Sequence, residues 1–258
     1  MAQSTSAGAR TSRVPWDAIA IVSLVLGLIL TTFDFLWAFL RAPMVNGATL
    51  NETYVVNGQV VDHLQLFSQK IFYFHVPVAV ASFVFIIIAA VYGVLLLVKK
   101  DARFDTRSRL CMQTGLVFIL ATMVSGDLWT RVEWGVWWVW EPRLTTYFIL
   151  MLLVIAYFIL RAAIDDPEKR ARFSAVFGIL AAVDAPISFF ITRLVPSSIH
   201  PVVFRTDSGL PPDMLLPFLC GIFGMLLAAF GIYRLRLRVE EQAEQVEALK
   251  RRYEELDD

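Results

Sequence analysis

IFYFHVPVAVASFVFIIIAAVYGVLLLV, residues 71 to 98, contains one Asp, Glu, Lys, Arg or His side chain, His75. At 1.5 Å per residue such a run makes a helix of roughly 40 Å. That exceeds the ~30 Å hydrocarbon layer of a bilayer, which about 20 apolar residues span. Lys99 and Lys100 follow at once and end the apolar run. The stretch therefore reads as a membrane span, and its type recurs along the chain. Further spans are read at about Trp16–Leu40, Leu110–Trp129, Leu144–Leu160, Phe173–Thr192 and Met214–Tyr233. Six spans make the fold class an all-α integral membrane protein.

Composition agrees. Hydrophobic residues are 57% of the 258, and mean hydropathy is +0.62, above the roughly half-apolar content of soluble domains. Basic and acidic residues balance at 23 each, so nothing points to nucleic acid. Cys111 and Cys220 stand far apart in apolar runs, with no CxxC or CxxCH spacing. They read as small core residues. The first span follows Arg10 and Arg13 as a signal peptide would, but it is too long for an h-region and lacks a small-x-small cleavage site. It reads as a retained helix.

The distribution of Lys and Arg sets the expected orientation. With both termini on one side, that side collects 17 of these residues and the other 6. The positive-inside bias puts both termini in the cytoplasm. The chain then divides into a cytoplasmic tail (1–15), a six-helix membrane domain (16–233) and a cytoplasmic helical tail (234–258). In the first outer loop, Tyr and Val alternate around Asn57-Gly58, the signature of a small hairpin with a two-residue turn. In the last tail, Val239, Val246 and Tyr253 fill one heptad position, and Gln242, Leu249 and Leu256 the other. That seam suits either a solvated helix or one docked on a cytoplasmic partner.

The same topology brings all three histidines, His63, His75 and His200, to the outer side. His63 reads as a surface loop residue. His75 lies within an apolar span, where ionisable groups are costly and tend to mark functional sites. Pro77 removes a backbone N–H and releases the carbonyl of Tyr73 beside it. His200 sits in a loop bounded by Pro196 and Pro201. Two imidazoles do not close a zinc site, which needs four ligands, but they suit the two axial positions of a haem iron.

Five of the seven tryptophans crowd into one outer segment: Trp129, Trp134, Trp137, Trp138 and Trp140. An interfacial belt explains isolated Trp16 and Trp37; it explains a cluster poorly. Trp134, Trp137, Trp138 and Glu141 are spaced i, i+3, i+4, i+7, so that they would form one stripe of a surface helix if the segment is helical. Indole faces suit a large flat apolar ligand. Arg131 and Arg143 bracket the cluster and suit carboxylates such as haem propionates. A quinone or lipid platform would use the same residue types.

The segment WGVWWVWEPRLTT, 134–146, resembles the tryptophan-rich "WWD" segment of haem-handling proteins in cytochrome c maturation. FYFHVPVAV before it, IHP after it, six spans and the short length resemble the CcmC type within that group. The resemblance covers about Val14 to Tyr233. It implies non-covalent haem b held at the outer face of the inner membrane, with His75 and His200 as axial iron ligands. The Trp-rich loop, about 129–143, would lie against the haem. It also implies transfer to a membrane-anchored haem chaperone (CcmE type), alongside ABC-transporter subunits (CcmA and CcmB types) and a small single-span subunit (CcmD type). Such a subunit delivers haem and is not an enzyme. Two departures stand out: Glu141 occupies the position of the motif's usual Asp, and RLVPSSIH lacks the two tryptophans that often precede the second His.

Two other functions remain open to the residues. A membrane oxidoreductase exchanging electrons with quinone would want further haem ligands across the membrane depth. A haem-transporting channel would want polar groups at mid-membrane. Asp34 and Asp127 fall near the outer ends of their spans. That leaves Asp184, next to Pro186, as the candidate for such a pathway or as a cap on the backbone break.

Overall fold

Each apolar run becomes a helix, and the last four helices outgrow their runs, because charged residues at the ends still satisfy helical backbone bonds. The computed structural model describes residues 16–42, 54–56, 59–61, 67–195, 210 and 212–257. In chain order these form α1 (Trp16–Leu40), β1 (Tyr54–Val56), β2 (Gln59–Val61), a 3-10 turn (Gln69–Ile71), α2 (Phe72–Lys99), α3 (Ala102–Trp134), α4 (Pro142–Ala162), α5 (Pro167–Leu194) and α6 (Pro212–Asp257). All six α-helices are long and apolar enough to cross a membrane. β1 and β2 pair antiparallel, with Val56 opposite Gln59, the register a hairpin calls for. Asn57, Gly58, His63 and His200 lie outside the described residues.

The ends of the helices follow local chemistry. Lys100 adopts the left-handed conformation (φ 54°) that stops α2. Asp101 then caps α3 by accepting from the Arg103 N–H at 2.9 Å. Asp166 caps α5 in the same way, with Pro167 in the first helical position.

α2 lies at the centre, packed on α3, α5 and α6; α4 packs on α5, and α1 on α6. Ile86, Met112, Ile119, Leu150 and Val154 are fully buried between them. Cys111 is buried among these residues, as a small core side chain should be. Polar ties cross the helices. Ser108 Oγ donates to the Ala89 carbonyl at 2.8 Å. Arg161 makes a two-pronged bond to Asp105 at 2.7 and 2.8 Å, the stronger geometry for an ion pair.

α1 and α6 meet backbone to backbone. A Cβ on Gly27 would fall 2.6 Å from the Ala228 nitrogen, and one on Gly231 would fall 2.9 Å from the Ala20 carbonyl oxygen. Close approach over small residues is how membrane helices associate without a hydrophobic driving force. Two further contacts fix the far end of α1. Lys70, buried, donates to the Ala38 and Ala42 carbonyls, each at 2.5 Å, which places a cation on the unsatisfied C-terminus of α1. Pro217, inside α6, has no N–H for the Asp213 carbonyl four residues back. The Trp37 indole N–H donates to that carbonyl instead, at 3.2 Å.

α6 is 46 residues long, roughly 70 Å, and runs unbroken past Tyr233. Ion pairs Arg109–Glu240 (3.1 Å) and Arg238–Asp17 (3.3 Å) tie the middle of α6 to α3 and α1. Beyond them Val246, Leu249, Tyr253 and Leu256 of the predicted seam are exposed.

Asp34 is completely buried, and neither carboxyl oxygen has a hydrogen-bond partner among the described residues. It packs where Gly221 of α6 and Pro77 of α2 leave room. Asp184 makes no hydrogen bond to a described residue, so it does not cap the break at Pro186, and α5 continues through that proline.

Candidate functional site

His75 lies in the first turn of α2, and its ring is held by three residues of α3. Nδ1 is 2.9 Å from the Ser125 hydroxyl. The Trp129 indole meets the imidazole edge to face, with centroids 5.9 Å apart. Gly126 lies between them in sequence, and a Cβ there would come within 3.0 Å of the imidazole Cε1. The missing side chain is what allows the ring to lie against α3.

Trp129 is itself anchored. Its Nε1 donates to Glu133 one turn on, at 3.2 Å, and the same carboxyl oxygen accepts from Ser68 Oγ at 2.5 Å. Glu133 thus joins α3 to the residues preceding α2 and steadies the indole beside His75. Sequence reasoning passed over Glu133. The available signal was its i, i+4 spacing from Trp129.

The tryptophan segment is not a helix, which corrects the predicted stripe. α3 ends at Trp134, and Gly135 is left-handed with φ 73°. Arg131 donates to the Gly135 carbonyl, and its guanidinium lies 5.8 Å from the Trp137 ring centroid. From 138 to 141 the chain has no regular structure. Pro142 then opens α4 and disfavours the helical conformation for the residue before it. In this irregular stretch the indoles gather differently. Trp138 meets Trp140 and Phe148 edge to face, each at 5.5 Å. Trp138 is half-buried, and its Nε1 has no partner among the described residues. Trp137 and Trp140 are 59% and 72% exposed.

Glu141 has left the stripe for a structural task. It is the N-cap of α4, buried, and accepts from the Leu144 N–H at 2.5 Å. This explains why an acid stands just before the proline, and why Asp, the better N-cap, could stand there too. We expect Glu141→Ala to destabilise the start of α4 by about 0.5–2 kcal/mol. Glu141→Asp should be close to neutral. Thermal unfolding of the two variants in detergent checks the difference.

At the start of α4, Arg143 approaches the Phe189 carbonyl of α5 at 3.4 Å and is close enough to His75 to act on it electrostatically. Arg193 of α5 adds a second guanidinium in Arg143's neighbourhood. It sits 5.4 Å from the Phe189 ring centroid and was not singled out from the sequence. His75, Trp129 and Arg143 therefore converge from α2, α3 and α4. Trp137, beside Arg131 of α3, and Trp138 with Trp140 occupy the connection between α3 and α4. Among the described residues no three His, Cys, Asp or Glu side chains cluster as a metal site. Among the described residues, this end offers one imidazole, exposed indole surface and guanidinium groups. Those donors fit a flat, anionic, metal-bearing ligand better than a bare ion.

Comparison with known proteins agrees with this chemistry. The family model "Heme exporter protein C" (CcmC) matches residues 35–252. "Heme exporter protein C" of Escherichia coli strain K12 is 28% identical over 225 residues, 87% of this chain and 82% of that protein. The Rhodobacter capsulatus protein of the same name is 26% identical over 247 residues, 93% and 90% of the two chains. A ccmC-like mitochondrial protein of cytochrome c biosynthesis from Marchantia polymorpha is 32% identical over 171 residues, 61% and 71%. With the family model and these relatives matched over most of its length, the chain belongs to the heme exporter protein C family, as a multi-pass inner-membrane protein that handles haem in cytochrome c maturation.

Proposed function

We propose that this protein holds haem b non-covalently at the outer end of its bundle, with His75 and His200 as axial ligands, and delivers it to a membrane-anchored haem chaperone. Trp129, Trp134, Trp137, Trp138 and Trp140 form the flat apolar surroundings, and Arg131 and Arg143 serve the propionates. Glu141 contributes by fixing the path of the chain into α4. Haem is cargo here, and the protein needs no turnover chemistry of its own. Transporter subunits of the CcmA and CcmB types and a small CcmD-type subunit would complete the assembly.

The observation that carries this reading is the setting of His75. An imidazole in the first turn of an apolar helix is braced by a hydroxyl, a glycine gap and an indole of α3, whose following connection carries two largely exposed tryptophans. Absorption spectra of the purified protein, oxidised and reduced, test it. We expect the Soret and visible bands of a six-coordinate haem with two imidazole ligands. Co-expression with the chaperone should yield a covalent chaperone–haem adduct. Protein from haem-replete cells that carries no haem, and takes up none on titration with haemin, would overturn the reading.

A further inference from the structure

We propose that Ser125 is a positioning residue that sets the tautomer of His75, placing the proton on Nδ1 and leaving Nε2 as the nitrogen presented to a metal. The inference rests on the haem-binding reading above and adds a residue to it.

The argument is one of counting hydrogens. Ser125 is buried, and its hydroxyl carries a single hydrogen. The oxygen has two neighbours: the Thr122 carbonyl at 3.1 Å and His75 Nδ1 at 2.9 Å. A carbonyl can only accept, so the Ser125 hydrogen goes to Thr122. The second contact is then a hydrogen bond only if Nδ1 donates. In a neutral imidazole that leaves Nε2 with a bare lone pair.

The opposite arrangement fails on both sides. If Ser125 donated to Nδ1, its oxygen would face the Thr122 carbonyl with lone pairs alone. The ring hydrogen would move to Nε2, and no described residue hydrogen-bonds that atom. The ring cannot swing away from the choice, since Gly126 and Trp129 hold its edge and face. Holding the second nitrogen of a ligating histidine fixes both tautomer and orientation, and such partners are worth about 10–100-fold in metal affinity.

The test begins without haem. The full chain, labelled with [15N]histidine, contains only three histidines, and loss of signals in His75→Ala assigns the one of interest. Nitrogen NMR should find His75 in the Nδ1–H form. Ser125→Ala should shift it to Nε2–H or a mixture, and Ser125→Thr should restore it. Haemin titration should show Ser125→Ala binding about 10–100-fold more weakly. The midpoint potential should rise, because an imidazole that donates no hydrogen bond is a poorer electron donor. His75 found as Nε2–H in the unmodified protein would overturn the inference. So would Ser125→Ala with unchanged tautomer and affinity while His75→Ala loses haem. Normal haem binding by His75→Ala would instead remove the ligand assignment beneath it, so the two failures are distinguishable.

Discussion

His75→Ala, purified from cells supplied with haem, should lose the haem spectrum. Partners one step removed from a metal cost roughly 10–100-fold on mutation, so deleting the ligand itself should cost more than about 100-fold. His200→Ala should act in the same direction. His63→Ala should leave the spectrum intact, because no apolar span or proline-bounded loop constrains it. Circular dichroism and membrane abundance provide the control: α2 tolerates alanine in its first turn, so neither should fall for His75→Ala. Loss of haem from His63→Ala alone would show that the ligands have been wrongly chosen.

The second large effect belongs to Trp137 and Trp140. Their exposure means that removing both indoles disturbs little packing, unlike Trp138, which is wedged between Trp140 and Phe148. If they serve a flat ligand, each lost ring contact should cost about 0.5–1.5 kcal/mol. The Trp137→Ala, Trp140→Ala double variant should then make about 5- to 150-fold less chaperone–haem adduct per molecule at normal abundance. Extending the substitutions to Trp134 and Trp138 should deepen the loss. If the indoles are only membrane anchors, abundance or topology should fall and adduct formation per inserted molecule should hold. Measuring protein level and adduct in the same samples separates these outcomes.

How much of this was legible in the sequence depended on the range of the interactions concerned. The six spans follow from hydrophobic runs, which act locally, and the hairpin follows from a local turn preference. Span ends and helix ends differ: the span read from Leu110 belongs to a helix that starts at Ala102, while the helical tail read from 234 continues the last span as one helix to Asp257. Charged turns such as 103–109 contribute no hydropathy yet hydrogen-bond as helix. The tryptophan stripe was misplaced for a local reason that could have been weighed. The i, i+3, i+4, i+7 count assumed a helix, although Gly135 permits a left-handed stop and Pro142 forces an extended residue before it. The capping task of Glu141 was readable from its place just ahead of Pro142 and three residues before Leu144. The partners of His75 were not readable. Ser125 and Gly126 are ordinary within α3, and they matter only because α2 crosses them. The burial of Asp34 is likewise a property of the α1–α6 packing, where Gly221 leaves the room.

One feature of the fold reaches beyond the His75 end of the bundle. A single unbroken helix joins the exposed seam at Leu256 to Asp213, whose carbonyl holds Trp37 on α1, and α1 is clasped to the same helix over glycine. Mechanically this is a lever. Tilting a rod of roughly 70 Å by 5° displaces its ends by about 6 Å relative to one another, and α1 must travel with it. Lys70 links the far end of α1 to the turn that leads into α2, five residues before His75. A torque applied to the tail would bear, through backbone and two side-chain ties, on the root of the helix that carries the imidazole.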